Sequence, residues 1–173
     1  TTINGYFGNK VVVDGAGFLL NNEMDDFVSK PGVPNMFGLL GNEANAIEPG
    51  KRMLSSMTPT IVLKNGRPFL VTGSPGGGRI ITAVMTNIVN IIDFKLSLSD
   101  AINSPRFHHQ WFPDEIQAEK NSIAQDVRNK LVKKGYKIID FRDYASIDAI
   151  LINDDGSMTG YSDRRGYGKA IGF

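Results

Sequence analysis

The run Gly73-Ser74-Pro75-Gly76-Gly77-Gly78 restricts the fold of this chain more than any other segment. It follows two β-branched stretches, Thr60-Ile61-Val62-Leu63 and Pro68-Phe69-Leu70-Val71-Thr72, joined by Lys64-Asn65-Gly66-Arg67. Asn-Gly supplies the positive φ angles of a tight turn, so the pair reads as a β-hairpin. After the glycines, Ile80, Ile81, Val84, Met85, Ile88, Val89, Ile91 and Ile92 recur at helical spacing, which predicts a helix packed on a sheet. A strand, a glycine turn and a helix start place backbone N–H groups where they can meet an anion or a developing oxyanion. The segment has the glycine spacing of a phosphate-binding loop, G-x-x-x-x-G-K-[ST]. However, Arg79 stands in the lysine position and Ile80 in the metal-binding hydroxyl position, so a nucleotide-binding module is only a minor alternative. A tight strand-to-helix connection alone would need fewer than three consecutive glycines, which favours close approach to a ligand.

The remaining chain reads as one domain over residues 1–173, without repeats or low-complexity segments. Lys10 to Val13 suggests a strand, turned by Asp14-Gly15 into Phe18-Leu19-Leu20. Ser29 to Gly50 is rich in Gly, Pro and Asn and has no clear period, as expected of a lid or binding loop. Ser122 to Lys134 predicts a second helix, with Ile123, Val127, Leu131 and Val132 inward and Gly135 as its stop. Tyr136 to Phe141, Ile147 to Asn153 and Met158 to Tyr161 read as strands, the last two joined at Asp155-Gly156. This order predicts an α+β domain, an antiparallel sheet covered by helices. Nineteen basic and eighteen acidic residues leave a net charge of +1, which gives no reason to invoke nucleic acid or a membrane surface. No apolar run reaches the length of a membrane-spanning helix. With no cysteine, neither a disulfide framework nor a thiolate zinc site can form. No motif calls for a metal or organic cofactor.

Several short segments carry possible chemistry. Ser55 and Ser56 could hold a carboxylate through paired hydroxyls, or simply bond local backbone. Asn21-Asn22-Glu23-Met24-Asp25-Asp26-Phe27 offers three carboxylates for an ammonium group or a metal, without calcium-loop spacing; a solvated acidic turn is the plainer reading. His108 and His109 are adjacent and cannot face one site together, so Arg106-Phe107-His108-His109-Gln110-Trp111 reads as a structural segment. Thr1 could act as a nucleophile with its own α-amine as base, or mark only where the chain starts.

Together these motifs resemble the γ-glutamyltranspeptidase family over nearly the whole chain. The resemblance rests on Leu19 to Phe27, Leu54-Ser55-Ser56-Met57-Thr58-Pro59-Thr60, Gly73-Ser74-Pro75-Gly76-Gly77 and Pro105 to Trp111, in that order. It implies the small-subunit half of an N-terminal-nucleophile hydrolase, an αββα sandwich whose precursor cuts itself into large and small subunits. A threonine then attacks a γ-glutamyl amide, usually that of glutathione, and the acyl group passes to water, an amino acid or a dipeptide. Carried onto this sequence, Ser55 and Ser56 match the residues that hold the donor's α-carboxylate. Asp26, assisted by Glu23 and Asn4, matches the α-ammonium site, and Gly76 and Gly77 match the oxyanion hole. Phe37 falls in the lid, where several relatives carry Tyr. Thr2 matches the threonine whose hydroxyl supports the nucleophile. In that register the nucleophile lies upstream, with about eighteen residues preceding residue 1; Thr1 is the nucleophile only in a shortened subunit. The C-terminal Asp163-Arg164-Arg165 departs from the usual Asp-Pro-Arg. The implied partner is a large subunit from the same precursor, in a periplasmic or secreted setting. A cephalosporin or glutaryl acylase of the same fold is the nearest alternative.

Overall fold

A computed structural model describes residues 2–142 and 145–172. The chain divides into two compact units, Thr1–Ser55 and Ser56–Phe173.

Among its described residues, the first unit contains no extended strand and no α-helix. It is built from two short 3-10 turns, Glu23–Asp26 and Glu43–Asn45, and from the bridges Val12–Leu19 and Val28–Ala46. Asparagine side chains do the work that ladder bonds do elsewhere. Asn22 Oδ1 accepts the Gly5 N–H at 2.7 Å, Asn35 Oδ1 accepts those of Phe37 and Leu39 at 3.0 Å, and Asn42 Oδ1 caps the second turn through the Ala44 N–H. Such Asx geometry satisfies backbone donors without a regular element. The strand expected at Lys10 to Val13 shrinks to the single bridge at Val12, because Lys10 takes a positive φ of 66° and leaves the β region.

The second unit follows the sequence more closely. β1 (Thr60–Lys64) and β2 (Arg67–Gly73) form the expected hairpin, turned at Asn65 and Gly66, both with positive φ. β3 (Phe107–His108), β4 (Ile116–Ala118) and β5 (Ile138–Asp140) make a small second sheet. β6 (Asp148–Ile152) and β7 (Met158–Ser162) complete an antiparallel four-stranded sheet in the order β1-β2-β6-β7. β4 and β5 pair in parallel, so the expectation of purely antiparallel pairing is corrected. The α-helices are α1 (Ile80–Ile92), α2 (Leu98–Asn103) and α3 (Gln125–Lys133).

Period-two alternation sorts the large sheet's side chains. Leu70, Thr72 and Ala149 are buried, and Leu70 and Ala149 share one core with Ala83, Ile91, Ile102 and Ile147. Full burial of a side chain the size of Leu70 stabilises the fold by about 2 kcal/mol. The alternate row Ile61, Val71 and Ile150, aligned by strand register, is exposed. The helix-spaced apolar residues of α1 divide likewise: Ile80, Val84 and Ile91 are buried, whereas Ile81 and Met85 face outward. In α3 no residue is buried, and Val127 and Val132 are exposed rather than inward. The helix does stop as predicted, since Gly135 has φ 95° and the Tyr136 N–H returns to the Leu131 carbonyl. α2 was not anticipated, although Ser97 and Asp100 form its N-terminal cap, with the Asp100 N–H donated to Ser97 Oγ at 3.1 Å.

Candidate active site

In the first unit, the three carboxylates of the acidic turn have different surroundings. Asp25 is committed to structure: its Oδ2 accepts the Met36 N–H at 3.0 Å, and its carbonyl accepts the Asn35 side-chain amide at 3.4 Å. These bonds pin the residue 35–39 stretch, including half-buried Phe37, to the turn. Asp26 is half-buried, and its pKa is raised by burial first and then by the charges of Glu23 and Asp25. An anion held against burial and like charge is stabilised by an incoming cation. On the other side of the turn, Asn4 donates from Nδ2 to the Asn22 carbonyl at 3.3 Å, and its N–H is accepted by Thr2 Oγ1 at 2.9 Å. Thr2, Asn4, Glu23 and Asp26 thus belong to one unit, joined through the Asn21-Asn22 backbone. Thr1 lies outside the described residues.

The acidic turn and the serine segment share a strut. Asn45 Nδ2 donates to the Asp26 carbonyl at 2.7 Å, while its Oδ1 accepts the Leu54 N–H at 2.9 Å. Leu54 precedes Ser55, an exposed residue that ends the first unit; half-buried Ser56 opens the second. No sequence motif marks Asn45. The recurrent asparagines of the Ser29 to Gly50 stretch were the available signal, because Asn is the residue that bonds backbone from irregular segments.

In the second unit, the glycine segment is a strand-to-helix connection of the expected kind. β2 ends at Gly73, a 3-10 turn covers Gly77–Arg79, and α1 begins at Ile80. Gly76 has φ 140° and Gly77 φ 59°, conformations that side chains with a Cβ rarely adopt. A Cβ on Gly76 would lie 3.0 Å from the Ala145 methyl. Among the described residues, the Gly76 and Gly77 N–H groups have no acceptor, whereas the Gly76 carbonyl accepts the Arg79 N–H at 3.2 Å. Two adjacent half-buried N–H groups at a helix start form a nest for a negative oxygen. A cleft of about 550 Å³ begins beside this connection, lined among others by Val71, Gly73, Ser74, Asp148 and Ser162. Arg79 does not act as a phosphate-loop lysine would, because its Nε donates to Gln117 Oε1 at 2.8 Å and its guanidinium stacks on Phe141.

Behind the glycine connection lies a buried ionic network that connects segments distant in sequence. Arg106, 3% exposed, pairs with Asp163 Oδ2 at 2.6 Å and donates to the Ala145 and Ile102 carbonyls. Asp163 also accepts the Ile147 and Arg165 N–H groups, and Arg165 grips Glu119 through Nε and Nη2. Burial opposes the Asp163 charge, but the bonds from Arg165, Ile147 and Arg106 outweigh it and hold the carboxyl below its ordinary pKa. His108 is buried, its ring nitrogens paired with Thr82 Oγ1 and Gln110 Oε1, and burial lowers its pKa. Both ring nitrogens are thereby engaged within the fold. His109 instead faces the exposed Asp114. Among the described residues, no group of acidic and histidine side chains is arranged to hold a metal ion.

The family model for Gamma-glutamyltranspeptidase matches residues 1–173. The chain is 51% identical to the glutathione hydrolase proenzyme of Escherichia coli (strain K12), over 95% of this chain and 28% of that protein. It is 49% identical to the corresponding proenzyme of Pseudomonas aeruginosa, over 98% of this chain and 31% of that protein. It therefore spans about a third or less of the length of these curated relatives. A crystal structure of a Helicobacter pylori γ-glutamyltranspeptidase mutant superposes with a TM-score of 0.91 at 51% identity, covering 96% of this chain and 91% of that one. The α+β fold is accordingly that of the small-subunit half of an N-terminal-nucleophile hydrolase, and the chain belongs to the γ-glutamyltranspeptidase family.

Proposed function

We propose that this chain is the catalytic small-subunit portion of a γ-glutamyl hydrolase and transferase that cleaves glutathione and related γ-glutamyl amides. The observation that carries the reading is the acidic turn, where half-buried Asp26 stands beside Glu23 and Asp25 while Asp25 is committed to the Met36 N–H. That environment favours a cation, and the donor's α-ammonium is one. Ser55 and Ser56 donate hydroxyl hydrogens to the α-carboxylate at the other end of the zwitterion. A threonine hydroxyl then attacks the γ-carbonyl carbon, aided by the Thr2 hydroxyl. The carbonyl oxygen becomes an oxyanion that accepts the Gly76 and Gly77 N–H groups. The attacking hydroxyl gives its proton to the threonine's own α-amine; collapse of the tetrahedral intermediate breaks the C–N bond, and the leaving amine departs with that proton. Water or an amino-acid amine attacks the resulting γ-glutamyl ester and regenerates the threonine. Phe37, in the lid position, contributes packing but no hydroxyl.

The proposed partner is a large subunit cut from the same precursor. The exposed apolar row Ile61, Val71 and Ile150 supports this, because an uncovered face on a layered α+β sheet calls for a second layer. No helix among the described residues is long and apolar enough to cross a membrane; the proposed compartment is the periplasm or the extracellular space.

The reading is tested in the assembled two-subunit enzyme with γ-glutamyl-p-nitroanilide. Asp26→Ala is expected to lower kcat/KM by about a hundredfold or more, chiefly through KM, because a charged hydrogen-bonded contact is lost. Unchanged kcat/KM would refute the assignment. The acid limb of wild-type kcat/KM should lie above the ordinary aspartate pKa of about 3.9, because the raised Asp26 must be ionised to hold the ammonium.

A further inference from the structure

The two ends of a zwitterion are separated by a fixed covalent distance, so a pocket that grips both ends must hold its own two ends at a matching separation. The first unit has no extended strand or α-helix to set that spacing among its described residues. Its acidic turn occupies Glu23–Asp26, and Ser55 lies far along the chain. Within this unit, the Asn45 carboxamide reaches both. It donates to the carbonyl of Asp26, nineteen residues away, and accepts the N–H of Leu54, nine residues away.

We infer that Asn45 is a positioning residue of the donor pocket, a strut that fixes the Asp26 turn relative to the segment delivering Ser55. Asn45 is itself held firmly enough to act this way. Its N–H donates to the Asn42 carbonyl at 3.0 Å, its own carbonyl accepts the Val28 N–H at 2.9 Å, and the neighbouring Ala46 bridges to Val28. The backbone of residue 45 is therefore tied to the chain just after the acidic turn, and the side chain extends the tie to both pocket segments. Each role uses a different end of the amide: the NH2 is the donor and the oxygen is the acceptor. Aspartate would keep the bond to Leu54 but would set a carboxylate oxygen against the Asp26 carbonyl. Alanine would lose both bonds. Displacing one end of a binding site by about 1 Å is enough to cost a large factor in a well-aligned reaction.

This inference rests on the proposed γ-glutamyl function, and its test separates the two. In the assembled enzyme, Asn45→Ala and Asn45→Asp are expected to raise KM for γ-glutamyl-p-nitroanilide about tenfold, as fits the loss of one or two hydrogen bonds. The Ki of L-glutamate, a ligand for the donor pocket alone, should rise in parallel, while kcat per titrated active site falls less than about threefold. A generally weakened fold would instead reduce the number of active sites and leave KM and Ki unchanged. The double variant Asn45→Ala/Asp26→Ala should be non-additive, because Asn45 acts through Asp26. If Asn45→Ala does not assemble, Asn45→Asp carries the same measurements. Unchanged KM and Ki in the Asn45 variants, or additive effects in the double variant, overturn the inference while Asp26→Ala still raises KM. If Asp26→Ala leaves KM unchanged, the γ-glutamyl reading fails and this inference fails with it.

Discussion

Gly76→Val in the assembled enzyme should lower kcat by about a hundred- to a thousandfold, the effect of losing one oxyanion-hole donor, with little change in donor KM. Two physical demands converge at this position. Gly76 has φ 140°, a conformation that L residues rarely adopt, and any Cβ there would lie 3.0 Å from the Ala145 methyl and 3.3 Å from its Cα. Valine would therefore force either the peptide or the Ala145 segment to move, and the direction of the Gly76 and Gly77 N–H groups would change with it. Donor recognition is assigned to Asp26, Ser55 and Ser56, outside this connection, so binding should survive. Turnover should be counted per processed active site, so that impaired maturation is not mistaken for slow chemistry. A kcat within about threefold of wild type would remove Gly76 from the oxyanion hole, since loss of a real donor costs far more.

The second large effect is on stability. Asp163→Ala removes the carboxylate that pairs with the Arg106 guanidinium at 3% exposure, and with it the acceptor for the Ile147 N–H. Breaking a buried ion pair by deleting one partner costs about 3–5 kcal/mol. Thermal or urea unfolding of the assembled enzyme at neutral pH would show it as a marked fall in midpoint. The pH dependence supplies a signature. The folded-state pKa of Asp163 is depressed, so its contribution is fully present above the unfolded-state value of about 3.9 and is lost as pH falls through the lower folded-state value. The difference between wild type and Asp163→Ala should therefore be constant near neutrality and narrow only below about pH 4. A difference that is absent at pH 7 would contradict the network described here.

The parts of the molecule legible in the sequence were those with strong local rules. Asn65-Gly66 announced the β1–β2 hairpin, the isoleucine spacing announced α1, and Gly135 marked the end of α3, because turn chemistry and periodicity act over a few residues. The glycine connection was legible for the same reason. The first unit was not, because it is held by single asparagine side chains rather than by a period, and Lys10 leaves the strand that its β-branched neighbours suggest. Val127 and Val132 misled because α3 is short and solvated, so an apolar pattern there does not mark a buried face. The parallel pairing of β4 with β5 and the Arg106–Asp163 pair, 57 residues apart, depend on tertiary placement that no local pattern encodes. In the candidate site, composition supplied three equivalent carboxylates. The family resemblance singled out Asp26; the fold adds that Asp25 is committed to the Met36 N–H and that burial and neighbouring charge raise the Asp26 pKa.

The central claim is recognition of an amino-acid-shaped donor, and the most direct measurement is the ratio of kcat/KM for γ-glutamyl-p-nitroanilide to that for glutaryl-p-nitroanilide. The two substrates differ only in the α-amino group that Asp26 is assigned to hold. A site built around such a contact rejects the analogue lacking it by large factors, so the assembled wild-type enzyme should favour the γ-glutamyl substrate by at least about a hundredfold, and Asp26→Ala should erase most of that preference. Equal activity of the wild-type enzyme on the two substrates would contradict the account and mark the chain as part of an acylase.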